Sequence, residues 1–522
     1  MRTPIRTATL APSWLALLAP LAAAQVTPPT VHLYPGDDLP VAVALATTST
    51  VFVLHGDATY VGTLDFDGED HWFVAAPGDA PTLRGDVGEP AVDLTSTMPP
   101  SSAHCVDLRL RPGEPAGGFG PPPAVRLGGN GSLVYASVSL EDCTVEGDVV
   151  DSGTGFHSSE VVLRDTDVQG RLLLSGTGQA LCFASVLEGS AVDAVVVSGT
   201  GSAANFLDLE DSEVRQELRV LPALTAIASV LVDRARLTGP LEVEPQATAI
   251  ASVHVSNSLV LGDGTGTGIL VRDAQLFVAS NLTVAGFERG IDAELPAEFR
   301  NLLVFDNDQD VAPGMLASQF ASSLIEGGAF AGKFHNFGGT PFVDDAYALL
   351  GGSLGIDQGD DGLAVGGHDV YFESRIQDGD GDGNARVNVG AVEGLGECPT
   401  AKVKPFDGSG VNPEFYAAAT KPVLGQVYVG VVSTGADTVA TLIAVGAGAP
   451  LPFAVPGVEG EVLLALAPAP MLDFAAGTHV LAVPDDQTLC GGVVDTQAFR
   501  IDLVGPVVTA VAGNGLRLVL GE

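Results

Sequence analysis

The sequence predicts an all-β molecule, a parallel β-helix solenoid followed by a small β-sandwich. Three observations carry this. First, the chain repeats between Ser132 and Glu294. The apolar residues Val145, Val168, Leu187, Val214, Leu237, Leu259 and Leu282 align at spacings of 23, 19, 27, 23, 22 and 23 residues, a solenoid period. Second, each period holds short runs rich in β-branched residues, such as Val161-Val-Leu and Ala194-Val-Val-Val. They are bounded by turn clusters such as Ser198-Gly-Thr-Gly-Ser. Third, no window shows a capped helical period, and the leucine-rich-repeat frame is absent. One such coil cannot bury its own apolar face. Stacked coils can, each strand pairing with its equivalent about 4.8 Å above.

In chain order, Arg2 and Arg6, the apolar stretch Ala8 to Leu21 and the Ala22-Ala-Ala-Gln25 site predict a secretory signal over 1–24, cleaved after Ala24. Residues 25–50 read as a lead-in covering the open end of the first coil, and 51–396 as the solenoid. Pro112 to Pro123 reads as a loop leaving one coil. Phe299 to Val304 and Phe320 to Ile325 add two further strands. Beyond Cys398, at least six strand-like runs separated by Pro/Gly turns predict a β-sandwich over 397–522. No segment after the signal is long and apolar enough to span a bilayer.

Two stretches carry a family resemblance. Val51-Phe-Val-Leu-His-Gly with Trp72-Phe-Val-Ala-Ala-Pro-Gly resembles the opening coils of pectin-lyase-like right-handed β-helices. The run from Gly339-Thr-Pro-Phe-Val-Asp to Glu393 resembles the closing segment of bacterial secreted right-handed β-helix proteins. Asp357, Arg375, the Asp378–Asp382 run, Gly390 and Glu393 match. Leu354-Gly, Asn388 and Val392 depart from the usual Pro-Ala, Asp and Tyr. The resemblance implies a right-handed coil. The last 120 residues resemble a C-terminal module found on secreted proteins of environmental bacteria, through Pro422-Val-Leu-Gly, Leu451-Pro-Phe, Leu489-Cys-Gly and Gln497-Ala. That resemblance brings no activity with it.

The net charge is −41, with 23 Lys and Arg against 64 Asp and Glu. Nothing could neutralise a phosphate backbone, so nucleic acid is excluded as a partner. The acids sit singly among polar residues and read as a solvated surface; divalent-cation binding or a high-salt habitat is the sharper reading. Five cysteines are too few, and odd in number, for a disulfide scaffold. Cys143 and Cys182 read as buried in the coil, and a bridge between Cys398 and Cys490 stays open.

The candidate metal site is Asp378-Gly-Asp-Gly-Asp-Gly-Asn. Its alternate carboxylates match the first half of an EF-hand loop, with Asp378, Asp380, Asp382 and Asn384 as Ca2+ ligands. Position twelve is Val389, so Glu393 substitutes only if the chain folds back. A Gly/Asp surface turn is the plainer alternative. Asp306-Asn-Asp-Gln-Asp310 reads as a turn or polar ladder. Alternating or adjacent acids occur at Asp165/Asp167 and Asp208/Glu210/Asp211; two acids two apart on a strand share a face, so a carboxylate pair for glycosidic hydrolysis is geometrically possible there. The ordered motifs of polygalacturonases, serine esterases and zinc proteases are absent. Arg171, Arg215 and Arg234 have no acidic cluster around them in sequence and read as surface arginines, and the histidines are scattered. The leading expectation is an exported non-catalytic protein of cell-surface structure, adhesion or glycan contact, with extracellular polysaccharide or the cell envelope as partner. A polysaccharide lyase or glycoside hydrolase is the alternative, and a mere spacer the third reading.

Overall fold

The computed structural model describes residues 28–521, except 66–67, 96–99, 117–119, 380–382, 395–399, 447, 456, 466–469, 476, 485–488, 490–491 and 505–506. Among the described residues, 32 strands join one parallel ladder that winds through about 12 turns. Each turn contributes to three faces. The first runs from Thr30–Leu33 through Thr50–Leu54, Leu181–Leu187 and Ile250–Ser256 to Phe320–Ala321. The second includes Thr144–Val145, Arg236–Leu237 and Leu303–Phe305, and the third Val149–Asp151, Leu241–Val243 and Gln309–Val311.

The repeat is more regular than its apolar pattern suggested. The second-face column is Val145, Val168, Val192, Val214, Leu237, Val260 and Val284, at spacings of 23, 24, 22, 23, 23 and 24 residues. Leu187 belongs instead to the end of a first-face strand, which explains the apparent 19 and 27. Side chains alternate in and out along each strand. The interior is therefore columnar, with Val186, Leu209, Val232 and Val255 on successive rungs and Phe299 stacked on Phe320 at 4.9 Å.

The lead-in is itself part of the coil. Thr30–Leu33 pairs in parallel with Thr50–Leu54, and between them lies a seven-residue helix, Leu39–Leu45. Asp38 caps it by accepting from Val41 N–H, and Pro40 occupies its first turn. Leu39 and Val43 join the same core as Leu33 and Phe52, at the N-terminal end of the ladder. A helix this short has too few turns to show an apolar period.

The corner between the first and second faces repeats one backbone device. A residue with positive φ stands there in turn after turn: Asp142, Asp165, Glu188, Asp211, Arg234, Asn257, Asn281 and Asn301. Asn and Asp tolerate this left-handed conformation better than other side chains. In the last turns the three asparagines are fully buried and form a ladder. Asn257 Nδ2 donates to Asp233, Asn281 Nδ2 to Asn257 Oδ1 (3.0 Å), and Asn301 Nδ2 to Asn281 Oδ1 (3.1 Å).

The strands of the parallel ladder end at Leu324–Ile325, and a single parallel bridge from Leu324 to Phe337 adds a partial rung beyond them. The closing segment does not continue the coil. It folds back over the outer side of the second face, where Ile356, Val389, Ala391 and Val392 cover Leu259, Leu261, Ala285 and Leu303. The asparagine ladder receives it. Val365 O accepts from Asn257 Nδ2, and Asp360 exchanges two hydrogen bonds with the Asn301 amide.

Separate antiparallel sheets follow. Lys402–Phe406, Val507–Val519, Val493–Val504, Thr438–Gly446 and Met471–Ala475 lie in that order, with Val458–Glu459 joined in parallel to Val507–Val519. Tyr416–Ala418, Val427–Val432 and Thr478–Ala482 form a second sheet. Tyr428, Ile443, Leu516 and Leu518 from these two sheets share one apolar cluster with Leu350.

Candidate functional site

Where stacked turns face solvent, outward side chains form straight columns. On the first face one column reads Tyr135, Ser158, Leu181, Ala204, Ile227 and Ile250. The next reads Glu160, Phe183, Phe206, Ser229, Ser252 and Leu276; the third reads Val162, Ser185, Asp208, Leu231, His254 and Val278. Tyr135, Leu181, Phe183, Ile227, Leu231 and Ile250 are between 36% and 47% exposed. At about 4.8 Å per rung the strip is about 24 Å long. Phe183 and Phe206 stack at 4.8 Å, and Tyr135 donates its hydroxyl to Glu160 (2.6 Å). This strip was not legible in the sequence, because its members are 23 residues apart and meet only by stacking.

The three arginines gather acids mainly from the turns stacked beside them. Arg171 pairs with Asp148 (2.7 Å), and Arg215 with Asp167 (2.7 Å) and Asp193 (3.4 Å). Arg234 is held by Glu210, Asp211 and Asp233, and its guanidinium lies 5.4 Å from the Phe372 ring of the closing segment. The carboxylate candidates therefore separate. Asp167, Glu210 and Asp211 are committed to arginine, whereas Asp208 stands on the outward strip. Burial, then the charges of Glu210 and Asp233, raise the Asp208 pKa above the usual carboxylate range.

The residues of the closing motif meet in a buried polar network. Arg375 Nη1 donates to Glu393 Oε1 (2.8 Å), Arg375 Nε to Asn257 Oδ1 (2.8 Å), and Arg375 Nη2 to Asn281 O (3.4 Å). Glu393 also accepts from Asn388 N–H, and Asn388 Oδ1 accepts from Asp357 N–H. The Arg375 and Glu393 side chains are 2% and 0% exposed. Desolvation holds Glu393 above its usual range against the opposing pull of Arg375. The structure thus gives Glu393 a partner other than the Asp/Gly loop. Within that loop, Asp378 Oδ2 accepts from Gly383 N–H (2.9 Å), while Asp380 and Asp382 lie outside the described residues. Asn384 stands just past Gly383 in an irregular stretch.

Asp306 to Asp310 behaves as a turn. Asp310 accepts from Gly327 N–H and Asn307, and Glu326 accepts from Asp306 N–H. Among the described residues no group of three or more His, Cys, Asp or Glu stands ready to hold an ion.

Inside the solenoid lies a polar cluster. Asp151 is fully buried, and the Ser159 hydroxyl donates to its oxygens at 2.5–2.6 Å. Burial pushes its pKa up to about 7. Cys182 lies beside it, also buried, and burial pushes that thiol up to about 12. Cys105 and Cys143 are likewise free and buried, as expected for Cys143 and Cys182; Cys398 and Cys490 lie outside the described residues. His157 packs against Gly153, where a β-carbon would fall 2.2 Å from the ring, and neither ring nitrogen meets a hydrogen-bond partner among the described residues.

The scattered histidines include one close pair. His32 Nδ1 and His55 Nε2 are 2.9 Å apart on neighbouring turns. Among the described residues no helix is long and apolar enough to cross a membrane. No family model, no curated protein and no solved structure matches the chain.

Proposed function

We propose that this is an exported, non-catalytic β-solenoid of cell-surface structure, adhesion or glycan contact, and that the outward strip of the first face is its contact surface. The strip carries the reading. Six large apolar side chains stand exposed in register on a chain of net charge −41. Exposed apolar surface of this extent marks interaction sites in soluble proteins. Interleaved Ser158, Ser185, Ser229 and Ser252 with Glu160 and Asp208 add the hydrogen-bonding groups that a polysaccharide or envelope polymer needs. Within this reading the coil is the right-handed, pectin-lyase-like type suggested by the closing motif. The C-terminal sheets form a sandwich module that docks the solenoid.

The experiment is retention of the mature chain on immobilised extracellular polysaccharides, with products assayed in parallel. Wild type is expected to be retained without releasing products, and Phe183→Ser with Leu231→Ser is expected to abolish retention. Equal retention of that variant would remove the strip from the account.

One observation favours the enzymatic alternative, a polysaccharide lyase or glycoside hydrolase. Asp208 combines an upward pKa shift with a place on the outward strip, which makes it the candidate acid of that alternative. Product release that disappears in Asp208→Asn would establish it.

A structural Ca2+ in the Asp378–Asn384 loop belongs to the same extracellular reading. Asp378, Asn384, Asp380 and Asp382 are the oxygen donors it would draw on. Titration with Ca2+ is expected to raise the melting temperature saturably, and Asp380→Asn with Asp382→Asn to remove the rise. No shift at millimolar Ca2+ would leave the loop a surface turn.

A further inference from the structure

We propose that His32 and His55 form a two-histidine chelate for a borderline divalent transition metal, Cu2+ foremost. The geometry is specific. With metal–nitrogen bonds of about 2.0–2.1 Å, two nitrogens at a right angle around one ion stand about 2.9 Å apart, and at a tetrahedral angle about 3.3 Å. The observed separation of His32 Nδ1 and His55 Nε2 is 2.9 Å, a hydrogen bond between the metal-free rings and the same length as the cis edge of a tetragonal site. Tetragonal nitrogen and oxygen sites select Cu2+ or Ni2+, and Cu2+ heads the affinity order of the first-row divalent ions.

The frame holding the two rings is already fixed. His32 lies within the strand Thr30–Leu33, and His55 directly follows Thr50–Leu54 on the next rung. His55 N–H donates to Leu33 O (2.9 Å). The buried Tyr60 hydroxyl contacts both Leu33 O (2.9 Å) and His55 O (3.0 Å), locking the two backbones together. The Tyr34 ring stacks on His55 at 4.5 Å and 13°, which sets the plane of the imidazole. Two donors on a rigid frame gain effective concentration over two independent ones.

The surroundings suit a cation and leave coordination positions open. Asp37 accepts from Tyr34 N–H and Asp79 from Gly56 N–H, so a carboxylate is bonded beside each end of the pair. They favour a dication by charge without being ligands. His32 is exposed and His55 half-buried, so water reaches the remaining positions. A dicarboxylate Ca2+ loop would differ in kind, because imidazole is a poor partner for that hard ion.

The test uses the tag-free mature chain and Cu2+ itself, with calorimetry for affinity and electron paramagnetic resonance for bound nitrogens. The expected result is one Cu2+ per chain with two imidazole nitrogens, undisturbed by excess Ca2+. His32→Asn and His55→Asn should each weaken binding on the order of 100-fold and leave a one-nitrogen signature. Tyr34→Ala, which removes no ligand, should keep the two-nitrogen signal. A double variant that retains affinity and signature would place the ion elsewhere and overturn the proposal. Equally, no binding by the wild type beyond that of the double variant would reduce the pair to a hydrogen bond. Unchanged melting of the metal-free variants guards against misfolding, as expected for side chains at the surface.

Discussion

A fully buried carboxyl with a raised pKa makes stability depend on pH, and Asp151 supplies the clearest case. Its ordinary value is 3.8 and its value in the fold is about 7, because burial disfavours the charged form. The stabilising contribution of the neutral carboxyl is therefore fully present below about pH 3.8 and is lost as pH rises through about 7. Asp151→Asn keeps a neutral, hydrogen-bonding group beside Ser159. It should flatten this part of the decline and exceed wild type in stability at pH 8, by on the order of a few kcal/mol. Urea unfolding of both proteins at pH 4, 6 and 8 checks this; parallel curves would contradict it. At this scale the sequence was only partly legible. Arg375, Asp357 and Glu393 stood out through a resemblance, but their mutual burial did not, since Arg375 and Glu393 are 18 residues apart and meet across an irregular loop. Asp151 and Ser159 carried no signal, because an isolated polar residue in a repeat reads as outward-facing until the register is known.

At the scale of elements, the asparagine ladder links the solenoid to the segment that covers it. Asn281 both adopts φ 54° and bridges Asn257 to Asn301. Asn281→Ala places an alanine in the left-handed region and leaves neighbouring buried amides unsatisfied. Together these should cost about 2–4 kcal/mol. Asn281→Gly relieves the backbone and not the ladder, so it should fall between the two. Denaturant midpoints measure the order, and an alanine variant as stable as wild type would show that the ladder contributes nothing. The strand-rich repeat was legible because β-branched runs and Gly/Ser turns recur every 23 residues or so. Its register was not, because Leu187 and Val192 are equally apolar and only the corner residue settles the phase. The corner residues were themselves in the sequence, as Asp142, Asp165, Asp211, Asn257, Asn281 and Asn301. Positive φ is the physical reason those residue types recur there. The helix Leu39–Leu45 and the backward course of the closing segment depend on tertiary packing, which local pattern does not encode.

At the scale of the whole molecule, charge and shape work together. Arginines are few, and many bridge adjacent turns, as Arg126 does to Asp93 and Arg219 to Glu242. The remaining carboxylates keep the surface acidic and the long coil solvated. Against that background the apolar strip on the first face is the contact surface we propose. All-β architecture and the absence of a nucleic-acid-binding charge pattern followed from composition. The strip arose only when residues one turn apart were brought onto one surface.

The most direct test of the central claim is a paired measurement on the mature chain incubated with extracellular polysaccharides: the amount retained, and the new reducing or unsaturated ends released. A non-catalytic contact surface predicts retention that is lost in the Phe183→Ser, Leu231→Ser variant, with no new ends from either protein. Release of new ends by the wild type, lost in Asp208→Asn, would contradict the account.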